Sequence, residues 1–306
     1  MKITVLYGGP SAEREVSLVS GKAVIAGLQS MGHEVFASDV SPEDLSFLEH
    51  EADVIFPVLH GKFGESGELQ EILETYKKAF VGSGSRASRL GMHKGMTKVA
   101  WEKAGLPTPR WMYVNASTCN VTQGPGGLFA PCVVKAVASG SSIDVYVCKT
   151  LAEARAAAAK VVEKHGTALV EEFVEGTELT VGILEEKPLA PIRITTTRQF
   201  YDYDAKYKGS TTEYHFDLGL PAEVVERVRS LAERAHGVVG AKDLSRIDVM
   251  LNAKQEPFLL EINTLPGFTP RSLLPKAAGH AGIEFGPLVD RLAKRAFARG
   301  PRDGSD

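Results

Sequence analysis

The chain has 306 residues, 43% of them hydrophobic and 24% charged, which is soluble globular composition at a length that calls for two or three cores with a cleft between them. A net charge of −3 and a pI near 6.3 offer no basic footprint for nucleic acid. No charged leader with an apolar stretch opens the sequence, no apolar run nears the roughly 18 residues of a membrane span, and three cysteines without a CxxC pair argue against zinc or a disulfide framework, so a cytoplasmic enzyme is expected.

Residues Ile3 to Tyr7 read as a buried strand, followed by a glycine turn and a helix from about Ser17 to Met31, a βα unit. The turn, Tyr7-Gly8-Gly9-Pro10-Ser11-Ala12-Glu13, exposes backbone N–H groups at the carboxyl edge of the sheet, where open α/β folds bind ligands. Glu13 there suits an ammonium group; equally, Glu13 and Glu15 would favour the helix N-terminus through its dipole. Strands at Glu34 to Ser38, Val54 to Leu59 and Phe80 to Val81, with helical residues near Gly67 to Lys77, complete an α/β first lobe with a parallel sheet. His60-Gly61-Lys62-Phe63-Gly64-Glu65-Ser66-Gly67 reads as a glycine-rich loop leaving a strand, with His60 either functional or a structural hydrogen-bonder.

A helix from Ser85 to Ala104 stops at Gly105 and Pro107 and leads to strands at Arg110 to Val114, Cys132 to Val137 and Val145 to Cys148. Cys132 and Cys148 lie in apolar runs and are expected to pack. Lys135 ends one strand before a Ser/Gly loop, Ser139-Gly140-Ser141-Ser142, whose N–H groups and hydroxyls can wrap phosphates beside the lysine ammonium, although no Walker A string is present. The alanine-rich stretch Leu151 to Lys164 reads as a helix, followed by strands at Ala168 to Phe173 and Glu178 to Leu184. Polar residues from Thr195 to Thr212 enclose Phe200-Tyr201-Asp202-Tyr203-Asp204-Ala205-Lys206-Tyr207, without a packing face, as in a lid over a cleft.

Two acidic strings follow, Arg246-Ile247-Asp248-Val249 and Leu260-Glu261-Ile262-Asn263, joined by the turn-like 252–257. They read as a β-hairpin with Asp248 and Glu261 near each other on paired strands. Two carboxylates and an amide oxygen suit magnesium, which takes one or two protein carboxylates and completes its shell with waters and phosphates. Boundaries near 84 and 175 divide the chain into lobes at 1–84, 85–175 and 176–306, and the tail from Gly300 reads as disordered.

In this order, GGPSAEREVSL, LHGKFGESGELQ, GSGSRAS, FYDYDAKY, RIDVML and LEINTLPGFTPRS resemble the ATP-grasp family of carboxylate-amine ligases, and within it the ligases that join two D-alanines. The resemblance implies an ATP-grasp fold, a cytoplasmic homodimer formed through the first lobe, and ATP-dependent synthesis of D-alanyl-D-alanine for peptidoglycan precursors. It implies that Glu13, with Ser141 and Tyr207, holds the first ammonium. Lys94, Lys135, Ser142 and Lys206 would meet ATP phosphates, and Glu171 and Glu178 the adenine and ribose. Asp248, Glu261 and Asn263 would hold two Mg²⁺ ions, with Mn²⁺ able to substitute. Arg246 and the Gly267 N–H would stabilise an oxyanion, and Ser272, close to His60, would bind the second substrate's carboxylate. Tyr207 favours D-alanine over D-lactate as acceptor. The sequence departs from the family pattern at Ala136, Asp144 and His93, where proline, glycine and aspartate are usual. Asp144 would either repel a triphosphate or point away from it; if it repelled, a nucleotide-binding protein with degraded catalysis would result.

Overall fold

The computed structural model describes residues 1–117, 127–140, 143–196, 212–269 and 271–302. The first sheet comprises β1 (Lys2–Tyr7), β2 (Glu34–Asp39) and β3 (Val54–Pro57), parallel and ordered β2-β1-β3, with α1 (Arg14–Ser30) crossing between β1 and β2. Ile3, Val5 and Leu6 are fully buried, as a central parallel strand covered on both faces requires. Gly8 turns out of β1 at φ +76°, and a Cβ there would sit 2.1 Å from the Asp39 carboxylate that pairs with Arg14. The expected glycine loop after β3 contains a helical turn, α2 (Lys62–Glu65), before α3 (Glu68–Thr75). Phe80 makes only an isolated bridge with Ile55, so the expected strand at 80–81 is a single pairing.

The expected helix over 85–104 is two, α4 (Ser85–Met92) and α5 (Lys94–Lys103). His93 breaks it with a non-helical φ of −93° and ψ of 88°, and its Nδ1 accepts the Met96 N–H at 3.2 Å. The imidazole thus does the work of an N-cap carboxylate.

A second, antiparallel sheet has β4 (Trp111–Asn115), β5 (Cys132–Ala136), β6 (Tyr146–Cys148) and β7 (Thr167–Glu172) in the order β4-β7-β5-β6. It is covered by α6 (Leu151–His165), opened by a capping box between Thr150 and Glu153 and packed through Ala154, Ala157, Ala158 and Val161. Cys132 and Cys148 are cross-strand neighbours in this core, both buried free thiols.

The third sheet runs β11-β10-β8-β12-β13, built from β8 (Gly176–Leu184), β10 (Ile192–Thr196), β11 (Thr212–His215), β12 (Leu244–Asn252) and β13 (Pro257–Asn263), with β9 (Lys187–Pro188) paired to β8. The helices α7 (Ala222–Val239), α8 (Leu273–His280) and α9 (Phe285–Arg299) complete the chain. Its cores cross the linear order. Ala87 and Trp101 of α4 and α5 pack with Val181, Val228 and Ile247, and the Trp101 indole donates to the Ala235 carbonyl at 3.1 Å. Leu288, Val289, Leu292 and Ala296 of α9 join Ile3, Val24, Val54 and Phe56 of the first lobe. The expected disorder does not include 300–302: Arg302 is buried, donates to the Gly82 carbonyl and lies over the Phe80 ring.

Candidate active site

The β12–β13 pairing sets the chemistry. Arg246 faces Asn263 and Asp248 faces Glu261, and because alternate residues share a face of a strand, all four side chains rise from one face of the hairpin. A register shift follows Asp248, a bulge of the kind that re-aims a side chain. The Arg246 guanidinium grips both Asp248 oxygens at 2.9 and 2.8 Å, and the Thr180 hydroxyl donates to the same carboxylate at 2.6 Å. The Asn263 side-chain oxygen accepts the Leu265 N–H at 2.9 Å, which turns the chain toward Gly267. There space is short: a Cβ on Gly267 would lie 2.9 Å from the Ser272 hydroxyl and 3.7 Å from the His60 ring. Ser272 accepts the Thr269 N–H at 2.9 Å.

The opposite wall comes from the first lobe. Glu13 is buried at the N-cap position of α1 without a side-chain cap hydrogen bond, and its carboxylate faces Gly140, whereas Glu15 is exposed in the first turn. His60 is buried, its Nε2 has no hydrogen-bond partner among the described residues, and burial pulls its pKa down. Glu65 lines the same cavity and was missed in the sequence, where it read as part of a loop. Its carboxylate accepts the Gly61 N–H at 2.6 Å, while burial, assisted by Glu13, pushes its pKa up to about 8.

A second cleft opens between the second and third sheets. Val133, Val147, Phe173, Met250 and Leu260 give it apolar walls suited to a flat ring, and Lys135, Glu171 and Glu178 supply its polar groups. Lys94, Ser139 and Glu261 line both cavities; the Lys94 ammonium donates to the Ser139 carbonyl at 2.6 Å and lies 3.4 Å from Glu261. Glu171 is paired on both oxygens, with Lys135 and with Lys98, a fully buried lysine that sequence reasoning did not single out. Burial alone would raise the Glu171 pKa, but Lys135 and Lys98 hold it below its usual value. Lys135 is likewise buried, yet Glu171 and Glu261 keep its ammonium above its usual pKa.

Asp144 does not face the cleft. It adopts φ +55°, and its carboxylate pairs at 2.7 Å with both Lys164 and His165 at the end of α6. Hydrogen bonds from Lys164 and then His165 hold its pKa down. Ser141, Ser142, Lys206 and Tyr207 lie outside the described residues. The arrangement thus joins an acid- and imidazole-lined pocket to a ring-sized slot across a lysine and a carboxylate.

Residues 39–83 match the family model for the D-ala D-ala ligase N-terminus and residues 100–294 that for the C-terminus. A D-alanine–D-alanine ligase of Idiomarina loihiensis is 40% identical over 302 residues, spanning 97% of this chain and 98% of its own. The chain belongs to the D-alanine–D-alanine ligase family. The Stutzerimonas stutzeri relative is 43% identical over 94% of the ligase and 92% of its own length. The Bacillus anthracis D-alanine–D-alanine ligase, solved also in complex with ATP, matches at a TM-score of 0.83 and 30% identity over 98% of the ligase, covering 98% of its own chain and 97% in the ATP complex. A D-Ala:D-Ser ligase of Enterococcus faecalis matches at a TM-score of 0.83 and 25% identity, over 97% of the ligase and 99% of its own chain. The fold is the ATP-grasp fold expected from the sequence, with a parallel first sheet and two antiparallel sheets flanking the slot.

Proposed function

We propose that the ligase binds ATP in the apolar slot and two D-alanines in the adjoining pocket, and that Lys94 and Glu261, shared by both cavities, mark where the phosphoryl group crosses. The chain is an ATP-dependent D-alanine–D-alanine ligase by family, the activity that supplies peptidoglycan precursors. Continuity of the two cavities through those residues carries the reading. Joining a carboxylate to an amine requires an activated acyl group, and an acyl phosphate forms only where the carboxylate meets the terminal phosphate.

Each residue then has a task. Glu13 holds the first ammonium, which leaves that substrate's carboxylate directed at Lys94. Lys94 and Lys135 offset phosphate charge, and Glu178 faces the nucleotide end. Arg246 and the Gly267 N–H face the oxyanion of the tetrahedral intermediate, where preorganised donors act most strongly. His60 and Ser272 meet the second carboxylate beside Gly267. The lid residues Lys206 and Tyr207, with Ser141 and Ser142, complete this assignment by resemblance alone.

Asp248, Glu261 and Asn263 fit Mg²⁺ or Mn²⁺: all are hard oxygen donors on one hairpin face, with neither thiolate nor imidazole among them. When bound, two such ions would neutralise charge on the phosphates. Arg246 pairs with Asp248 and Lys94 lies 3.4 Å from Glu261, so a cation already stands beside each of these acids. No described helix is long and apolar enough to cross a membrane. A cytoplasmic homodimer formed through the first lobe is part of the same reading, by resemblance alone.

Phosphate release with ATP and Mg²⁺ tests the function, comparing D-alanine, L-alanine, and D-alanine with D-lactate or D-serine, with products identified by mass. Release that requires D-alanine and yields the D-alanyl dipeptide is expected. ATP binding without release would leave a degraded enzyme, and a D-lactate or D-serine product would change the acceptor.

A further inference from the structure

Lys98 lies one helical turn beyond Lys94 on α5 and lines neither cavity. Its side chain is wholly buried, and among the described residues its ammonium meets the Glu171 carboxylate and the Thr108 hydroxyl, the latter at 2.5 Å. Thr108 in turn donates to the Leu259 carbonyl at 2.8 Å, on the strand that carries Glu261. The lysine is therefore fixed between the second and third sheets, behind the wall of the slot. Lys135, by contrast, reaches the slot while it holds the other Glu171 oxygen.

Two ammonium groups thus share one buried carboxylate. Stripping a buried ion of its only partner is expensive, because the remaining charge has neither water nor countercharge. A nucleotide phosphate that draws Lys135 away would impose that cost on Glu171 unless a second cation stayed behind. We propose that Lys98 is a positioning residue for the nucleotide: it neutralises Glu171 from behind the slot, so that Lys135 can leave Glu171 for a phosphate. The proposal rests on the reading that the slot holds ATP.

Calorimetric titration with ATP and, separately, with adenosine tests it, in Lys98→Met, Glu171→Gln and the double variant against wild type. Lys98→Met is expected to weaken ATP roughly tenfold or more, with adenosine, which has no phosphate to draw Lys135, shifted less than about threefold. With Glu171 already neutral, adding Lys98→Met is expected to cost ATP less than about threefold. Equal losses for ATP and adenosine, the same ATP loss with and without the Glu171 carboxylate, or no loss would each overturn the proposal. Lys98→Gln, which keeps a donor for Thr108 without the charge, carries the same expectation if Lys98→Met does not fold. Wild-type phosphate release in the same preparation separates the two readings: release with an unaffected Lys98→Met variant overturns this role alone, whereas wild type that binds no ATP overturns both.

Discussion

Glu65→Gln is expected to stabilise the protein at alkaline pH, although it alters a residue of the substrate pocket. The carboxyl is buried among Glu13, His60 and the Gly61 N–H, with its pKa raised from the usual 4.5 to about 8. Between those values the native state keeps a proton that the unfolded chain releases, so native stability falls as pH rises across that window and is level on either side. The window spans about 3.5 pH units, which at about 1.4 kcal/mol each sets a ceiling of about 5 kcal/mol. Glutamine keeps the acceptor for Gly61 and carries no proton to lose. At about 2.1 cal/mol/K per residue, 306 residues convert that ceiling to about 8 °C in Tm. Thermal unfolding of both proteins without substrates from pH 4 to 9 reads the effect directly. The two Tm curves should coincide near pH 4.5 and separate steadily to pH 8, with the variant above. Parallel curves, or a wild type that gains on the variant as pH rises, would refute the argument that this carboxyl is buried without adequate countercharge.

Glu261→Gln should abolish D-alanine-dependent phosphate release while circular dichroism stays unchanged; full activity would sink the metal assignment. Asp144→Gly relieves a left-handed φ, worth up to about 1 kcal/mol, and gives up exposed pairs worth about as much, so Tm should move by no more than about 2 °C. In that variant ATP affinity should stay within about threefold of wild type, since Asp144 faces α6; a tenfold gain would mean that its charge reaches the nucleotide. Burial, with a contribution from Cys148, pushes the Cys132 thiol up to about 12, and Cys148 is raised likewise, so in a Cys119→Ser background no thiol should react with a disulfide reagent at pH 8 until the protein unfolds.

Local patterns exposed a large part of this architecture. Alternation and register put Arg246, Asp248, Glu261 and Asn263 on one hairpin face, and continuous apolar runs identified the buried parallel strands. Glycine strings at strand ends located the loops that meet around Glu13, His60 and Gly267. What escaped was set by long-range packing. Lys98 and Glu171 are 73 positions apart, and nothing in a helix rich in lysine distinguishes the one that is buried. Glu65 sat in a string read as a loop, and only burial beside Glu13 gives its carboxyl an unusual pKa. The direction of Asp144 depended on where α6 ends, and the break at His93 on a side chain able to cap.

The return of α9 to the first lobe bears on how the chain is made. Val5, Leu28 and Phe56 emerge early from the ribosome, yet the surface that covers them includes Leu288, Val289 and Leu292, which lie more than 230 residues further along the chain. The amino-terminal βα unit must therefore wait until α9 is made with part of its apolar face open to solvent or chaperone, and a fragment ending near residue 84 would carry that exposed face permanently. Synthesis of α9, rather than completion of the amino-terminal sheet, is the event that lets the amino-terminal core close.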